Sequence, residues 1–221
     1  VVRQEESGLR RYVHVGTGNY NSKTARTYED IGLFTCNESI GDDVSHLFNS
    51  LTGFGRDHDY KRLIVAPRYL RNTMIELIKK EITFGSEGHM VIKINGLADA
   101  EMIELLYQAS EAGVRIDLIV RGVCCMRPSS DHEKNVRIRS VLGRYLEHSR
   151  MYHFAHGGRN DEPVYYIGSA DLMPRNLDKR VEVLIPVEHP KHRAWIEEVF
   201  STLLSDDVVA FEMNREGNWR R

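Results

Sequence analysis

Two periodicities alternate along the chain. Short apolar runs bounded by turn residues predict strands at 63–66, 90–94 and 116–120, and apolar positions three and four apart predict helices between them. The helix expected over 69–84 turns Met74, Leu77, Ile78 and Ile82 inward, and the one over 98–112 does so with Met102, Leu105, Leu106 and Ala109. A shorter helix is expected over 136–142, and a last one over 190–204 packs Trp195, Ile196, Val199 and Phe200. Strands joined by helical crossovers imply a mainly parallel, layered α/β sheet. Further strands are read at 10–15, 28–35, 148–150, 164–167 and 183–187, and the polar tail 214–221 is expected to fray.

Nearer the start, Ser39 can cap a helix whose Val44, Leu47, Phe48 and Leu51 share one face. The pattern breaks at 52–59, which divides the chain into 1–61 and 62–221. Val1-Val2-Arg3 reads as a strand edge followed by a turn at 5–8. With no methionine at position 1, the chain is read as a piece of a longer protein.

Composition narrows the partners. The 221 residues are 41% hydrophobic, enough for one good core or one core and a satellite, and the formal net charge is -2. Any polyanion must therefore be met by a local cluster of cations, not a global field, and nucleic acid is not an expected partner. Cys36, Cys124 and Cys125 form no C-x-x-C pair, which argues against a disulfide framework or a zinc site and fits a reducing cytoplasm. His153, His156, His189 and His192 show no metal-ligand spacing.

The chemistry concentrates in 148–182. His148 and Arg150 stand two apart on a strand and project to one face, where an imidazole can attack phosphorus or move a proton and a guanidinium can grip phosphate oxygens. A Gly-rich loop follows at 156–162, readable as a rim of the site or as a plain turn. A strand and the turn Gly168-Ser169-Ala170-Asp171 come next. The layout repeats at the start of the chain. Laying Gly16-Thr17-Gly18-Asn19 over that turn pairs Asn19 with Asp171, and puts Asp30 in register with Glu182, each acid fourteen residues after its glycine. Both acids are expected to orient histidines from behind. The first copy lacks its own His-x-basic strand, which is expected upstream. Lys93, Arg121, Arg68 and Arg71 follow or end strands and are candidates to line a cationic pocket with His148 and Arg150.

Long strings then carry a resemblance: His14-Val15-Gly16-Thr17-Gly18-Asn19-Tyr20-Asn21, Lys23-Thr24-Ala25-Arg26, Leu118-Ile119-Val120-Arg121-Gly122, Tyr145-Leu146-Glu147-His148, and the run from Ser169 to Asn176. The chain resembles, over nearly its whole length, the C-terminal part of the type 1 polyphosphate kinases. The resemblance implies phospholipase D-like layered α/β domains with helices on the sheet faces, the end of one in 1–61 and a whole second one in 62–221. It also implies reversible transfer of the ATP γ-phosphoryl group to inorganic polyphosphate through a phosphohistidine. By position, Tyr28, Arg121 and His148 match ATP-contacting residues. The phosphohistidine and the arginines that bind Mg²⁺ are implied upstream of Val1, so His14 is not the phosphohistidine and this stretch alone is expected to be inactive. A homo-oligomer in the cytoplasm is implied, with peripheral membrane association a further expectation. Compared with phospholipase D-like enzymes, Arg150 stands where lysine is usual and Asp171 where asparagine is usual. A phospholipase D-type phosphodiesterase, or a non-catalytic phosphate-binding or assembly module, are the alternative readings.

Overall fold

The computed structural model describes residues 1–53, 59–128 and 135–221. The first unit opens with a hairpin of β1 (Val2–Glu5) and β2 (Gly8–Arg11), followed by β3 (Val13–Gly16), the short β4 (Tyr28–Glu29), β5 (Gly32–Thr35) and helix α1 (Glu38–Leu51). The strand expected at 10–15 is interrupted at Tyr12, and the one at 28–35 is split in two by the turn that presents Asp30. β3 and β5 pair antiparallel. Asn37, not Ser39, caps α1, its side chain accepting from Ile40 N at 3.2 Å. Val44 and Leu47 pack inward, but Phe48 and Leu51 on the expected apolar face stay exposed.

The second unit runs β6 (Ile64–Val65), α2 (Leu70–Phe84), β7 (His89–Ile94), α3 (Ala100–Glu111) and β8 (Arg115–Val120). It continues through β9 (Val136–Val141), β10 (Leu146–Glu147), β11 (Arg150–Phe154), β12 (Val164–Gly168), α4 (Pro174–Asp178), β13 (Val183–Pro186) and α5 (Pro190–Leu204), and ends in β14 (Ala210–Met213) and β15 (Trp219–Arg220). The main sheet has the order β15-β14-β9-β8-β7-β11-β12-β13-β6. Within this sheet, among the described residues, β7, β8 and β9 pair in parallel and the remaining pairs are antiparallel.

That corrects three expectations. The sheet is mixed because β11 and β12 are joined by a loop without a helix and β12 and β13, with the short α4 between them, also pair antiparallel. Residues 136–141 form a strand, not a helix: Val136 and Ile138 are buried in one core while Arg137 and Arg139 point to the other face, the period-2 alternation of a sheet. The tail is ordered: β15 pairs antiparallel with β14 across a turn in which Asn214 Oδ1 accepts from Glu216 N at 3.1 Å and Asn218 N at 2.8 Å.

Alternate residues of the central strands feed two cores. Met90, Ile92, Ile94, Ile116, Leu118 and Val120 meet α2 and α3 on one face, and Val91, Ile119, Met151 and Ile167 meet α5 and the first unit on the other. Each such fully buried side chain contributes about 1.5–3 kcal/mol. The registers bring the carboxyl ends of β7, β8 and β12 and the amino ends of β11 and β13 to one edge of the sheet. The loop at 156–162 joins the opposite ends of β11 and β12, where Glu81 accepts from His156 N at 2.5 Å. It therefore forms no rim around His148.

Candidate phosphoryl-transfer site

The two copies of the glycine turn fold alike. Thr17 N donates to Ile31 O at 2.9 Å, Ile31 N returns a bond to Thr17 Oγ1 at 2.9 Å, and that hydroxyl donates to Asp30 Oδ1 at 2.9 Å. Ser169 repeats all three: its N to Val183 O at 3.1 Å, Val183 N to its Oγ at 3.3 Å, and its Oγ to Glu182 Oε2 at 2.5 Å. A Cβ at Gly18 would collide with the Asp30 carboxylate, and one at Gly168 with the Val183 carbonyl, so each turn needs its glycine for close approach. The two hydroxyls were missed in reading the sequence. Their signal was present in the repeat itself, a Thr and a Ser each fourteen residues before the amide it receives.

The acid of the first copy serves the histidine of the second. β4 lies parallel to β10, pairing Tyr28 with Leu146 and Glu29 with Glu147, and His148 N donates to Glu29 O at 3.2 Å just ahead of β11. This delivers His148 Nδ1 to Asp30, 2.9 Å from Oδ1 and 3.1 Å from Oδ2. The Tyr28 ring stacks on the imidazole with centroids 4.5 Å apart. Arg150 Nη1 is 3.2 Å from both ring nitrogens, which puts it over the ring and not on an in-plane lone pair. With Nδ1–H given to Asp30, Nε2 is left, among the described residues, without an in-plane partner.

Other predicted residues are placed differently from expectation. Arg150 is buried, and its Nε and Nη2 are bound to the two oxygens of Asp171 at 3.2 Å each while Nη1 donates to Thr17 O and His148 O at 2.9 Å. Its fork is largely spent on the fold, which corrects its assignment as a phosphate grip. The pairing joins Arg150 and Asp171 as a two-toothed guanidinium–carboxylate contact. Asp171 also accepts from Asn95 N at 2.7 Å, tying the end of β7 to the turn.

Lys93 is 2% exposed and its Nζ is held by Ser149 Oγ at 2.7 Å, Glu147 at 3.1 Å and Glu29 at 3.3 Å. It is a buried brace under the β4–β10 pair and cannot line a phosphate pocket. Arg71 is likewise withdrawn: Asp178, Asp99 and Glu101 surround its guanidinium at 2.6–2.8 Å. Its hydrogen bonds to Asp178 and Asp99 raise its pKa far above the ordinary value, and Asp178 is correspondingly lowered. Burial alone would raise the Asp99 carboxyl, but Arg71 and the Met102 N–H hold it below the usual range. Arg68 is exposed beyond β6, at the outermost strand of the sheet, over the Tyr69 ring. Asn19 accepts from Asn21 N at 2.9 Å in a local turn.

Arg121 follows β8 at the His148 edge, and its Nε is buried with no hydrogen-bond partner among the described residues. Glu182 takes bonds from Ser169 and, at 2.7 Å on Oε1, from Asn176 Nδ2. Among the described residues no histidine reaches it, so the expected orienting role finds its imidazole only at Asp30. Asn176 was not singled out in the sequence.

The described residues thus bring to one edge of the sheet an acid-held imidazole and an arginine whose Nε is buried with no hydrogen-bond partner among them. The family profile described as polyphosphate kinase C-terminal domain 2 matches residues 63–221, and that of C-terminal domain 1 matches 1–57. The chain belongs to the polyphosphate kinase family. It is 48% identical over 225 residues to the polyphosphate kinase of Thermosynechococcus vestitus, covering 100% of this chain and 30% of that protein. Against the polyphosphate kinase of Streptomyces coelicolor the identity is 47% with the same coverage. The crystal structure of polyphosphate kinase from Porphyromonas gingivalis superimposes with a TM-score of 0.88 at 39% identity, over 96% of this chain and 33% of that one. The chain thus spans about 30% of the length of the curated relatives it matches.

Proposed function

We propose that the full-length protein transfers the γ-phosphoryl group of ATP reversibly to inorganic polyphosphate, and that residues 1–221 supply half of the transfer site. The observation that carries this reading is the crosswise pair, Asp30 of one copy on His148 of the other, beside a second acid, Glu182, built the same way with no imidazole on it among the described residues. Twofold logic then asks for a histidine on Glu182 from a strand ahead of Val1. The strand register supports a position for it. Val1 and Tyr12 exchange backbone bonds and Val2 faces Arg11. Extending that ladder places Gly16 opposite the fourth residue before Val1, as Gly168 lies opposite Arg150. A basic residue belongs at that position and the histidine two residues earlier, six before Val1.

In the proposed reaction the upstream imidazole, its other nitrogen donating to Glu182, forms a bond to the γ-phosphorus as the bond to the ADP oxygen breaks. The phosphoryl group then passes from nitrogen to a terminal oxygen of polyphosphate. His148, oriented by Asp30, presents Nε2 to the transferring group as a proton donor when charged. Tyr28 offers the nucleotide base the ring face that His148 does not cover, and Arg121 neutralises charge on the phosphate oxygens. Magnesium is expected with the nucleotide. Among the described residues no three His, Cys, Asp or Glu side chains converge to hold a cation, and Asp30, Asp171 and Glu182 are already engaged, so these residues do not fit the ion and its ligands are assigned upstream.

The test uses the full-length protein with ATP and Mg²⁺, following acid-labile protein phosphate and long-chain polymer. His148→Ala is expected to lower polymer synthesis by about 10²–10⁴-fold. Equal rates in mutant and wild type would reduce His148 to scaffolding. Residues 1–221 alone are expected to take up no acid-labile phosphate, because the nucleophile is not among them.

A further inference from the structure

We infer that Asn176 is a positioning residue for phosphoryl transfer, holding Glu182 so that one carboxylate lone pair stays directed at the upstream imidazole. The inference rests on the transfer reading above.

Asn176 lies on α4, 2% exposed, and its Nδ2 donates to Glu182 Oε1 at 2.7 Å. Its Oδ1 is buried with no partner among the described residues. That orphan fixes the amide orientation, because the flipped form would set oxygen against the carboxylate and leave the NH₂ unpaired. A buried amide with an unmet acceptor costs stability that an apolar side chain would not, which directs attention to the bond its donor makes.

The donor closes a frame around Glu182. Ser169 Oγ binds Oε2 and Asn176 binds Oε1, gripping the carboxylate from two sides. The position equivalent to Asn176 in the first copy is Thr24, at the start of a short 3-10 turn, and its hydroxyl is turned to Asn21 O, not to Asp30. The difference has a physical cause. Asp30 is short, and Thr17 together with the His148 ring fixes it. Glu182 has one more rotatable bond and needs a second donor to be held in a single rotamer before its histidine arrives.

The test is a mutant cycle in the full-length protein, measuring the initial rate of polymer synthesis, the rate of acid-labile phosphate formation, and kcat and KM for ATP. Asn176→Ala is expected to lower kcat about 10–100-fold, the range for outer partners that orient a reacting ligand, with KM changed less than about twofold because no ATP contact is lost. In a Glu182→Gln background the same change should add nothing, since Asn176 acts only through that carboxylate. Asn176→Asp keeps the shape and should lose at least as much by setting a like charge on Glu182, while a folding defect as the explanation would show as equal losses in the wild-type and Glu182→Gln backgrounds. Wild-type kcat in Asn176→Asp, or equal losses from Asn176→Ala in both backgrounds, overturns the inference while leaving the transfer reading intact. Full activity in Glu182→Gln alone overturns both.

Discussion

The two copies of the glycine turn share a backbone and differ in how their acids are satisfied. Asp30 takes a hydroxyl from its own turn and an imidazole from the other unit; Glu182 takes a hydroxyl from its own turn and an amide from α4. The shared part builds the platform, and the unshared part tells which chemistry each half delivers. An acid that already holds its imidazole marks a completed half-site. On the proposed function, an acid gripped by amide and hydroxyl, with a lone pair to spare, is the half-site that takes the upstream histidine.

The largest effect is expected where the completed half-site is broken electronically without loss of shape. Asp30→Asn keeps the volume but offers His148 Nδ1 an amide in place of a carboxylate, favouring the wrong tautomer and removing the charge that balances an imidazolium. Polymer synthesis by the full-length protein should fall by about 10²–10⁴-fold. Retention of more than about a third of wild-type activity would mean that the crosswise pair is a structural contact only.

A second comparison is between equivalent positions of the two copies in the sheet. By the strand register, Val1 opposite Tyr12 corresponds to Phe154 opposite Val164, so His153 matches the residue just ahead of Val1. His153 stacks on Tyr165, centroids 4.5 Å apart, with Nδ1 buried and unpartnered among the described residues. Burial, and then the nearby His89, push its pKa down to about 4 from 6.5. The unfolded chain therefore takes the proton near pH 6.5 and the folded chain only near 4, so stability is full above that window and declines as pH falls through it. The loss amounts to about 3 kcal/mol by pH 4. His153→Phe should flatten the acid fall of the unfolding midpoint of the full-length protein; an unchanged slope would put the proton elsewhere.

How much of this could be read from residues alone divides along physical lines. The turns and the placement of Asp30 and His148 beside them were legible because a repeat fixes register. The helices over 70–84, 100–111 and 190–204 were legible from period. The strand at Val136–Val141 was lost because Arg137 and Arg139 interrupt its apolar run, although the alternation was there; their partners, Glu212 and the carbonyls that end α5, lie more than sixty residues away. Lys93 and Arg71 were misread for a related reason. A cation near a strand end lines a pocket only if no acid reaches it first, and Glu29, Glu147, Asp99 and Asp178 are brought there by tertiary contacts. Asn176 escaped notice because an asparagine six residues before a glutamate carries no signal until α4 folds back.

The smallest predicted effect separates the two acids most finely. Thr17→Ala and Ser169→Ala each remove a hydroxyl that donates to an acid and accepts from the amide fourteen residues on. Each should cost about 1 kcal/mol of stability through the amide left unmet. Activity should not fall equally. Without Thr17, Asp30 keeps the imidazole as its one remaining donor, and that donor is the group it must orient. Without Ser169, Glu182 keeps Asn176, which is not part of the reaction. Thr17→Ala should therefore lower polymer synthesis by about 5–10-fold, one lost hydrogen bond in the transfer step, and Ser169→Ala by less than about threefold. Thr17→Ser and Ser169→Thr, which keep the hydroxyls, should stay near wild type. Equal losses in the two alanine variants would show that the α4 amide adds nothing to the hold on Glu182, and that the two copies are alike in function as well as in backbone.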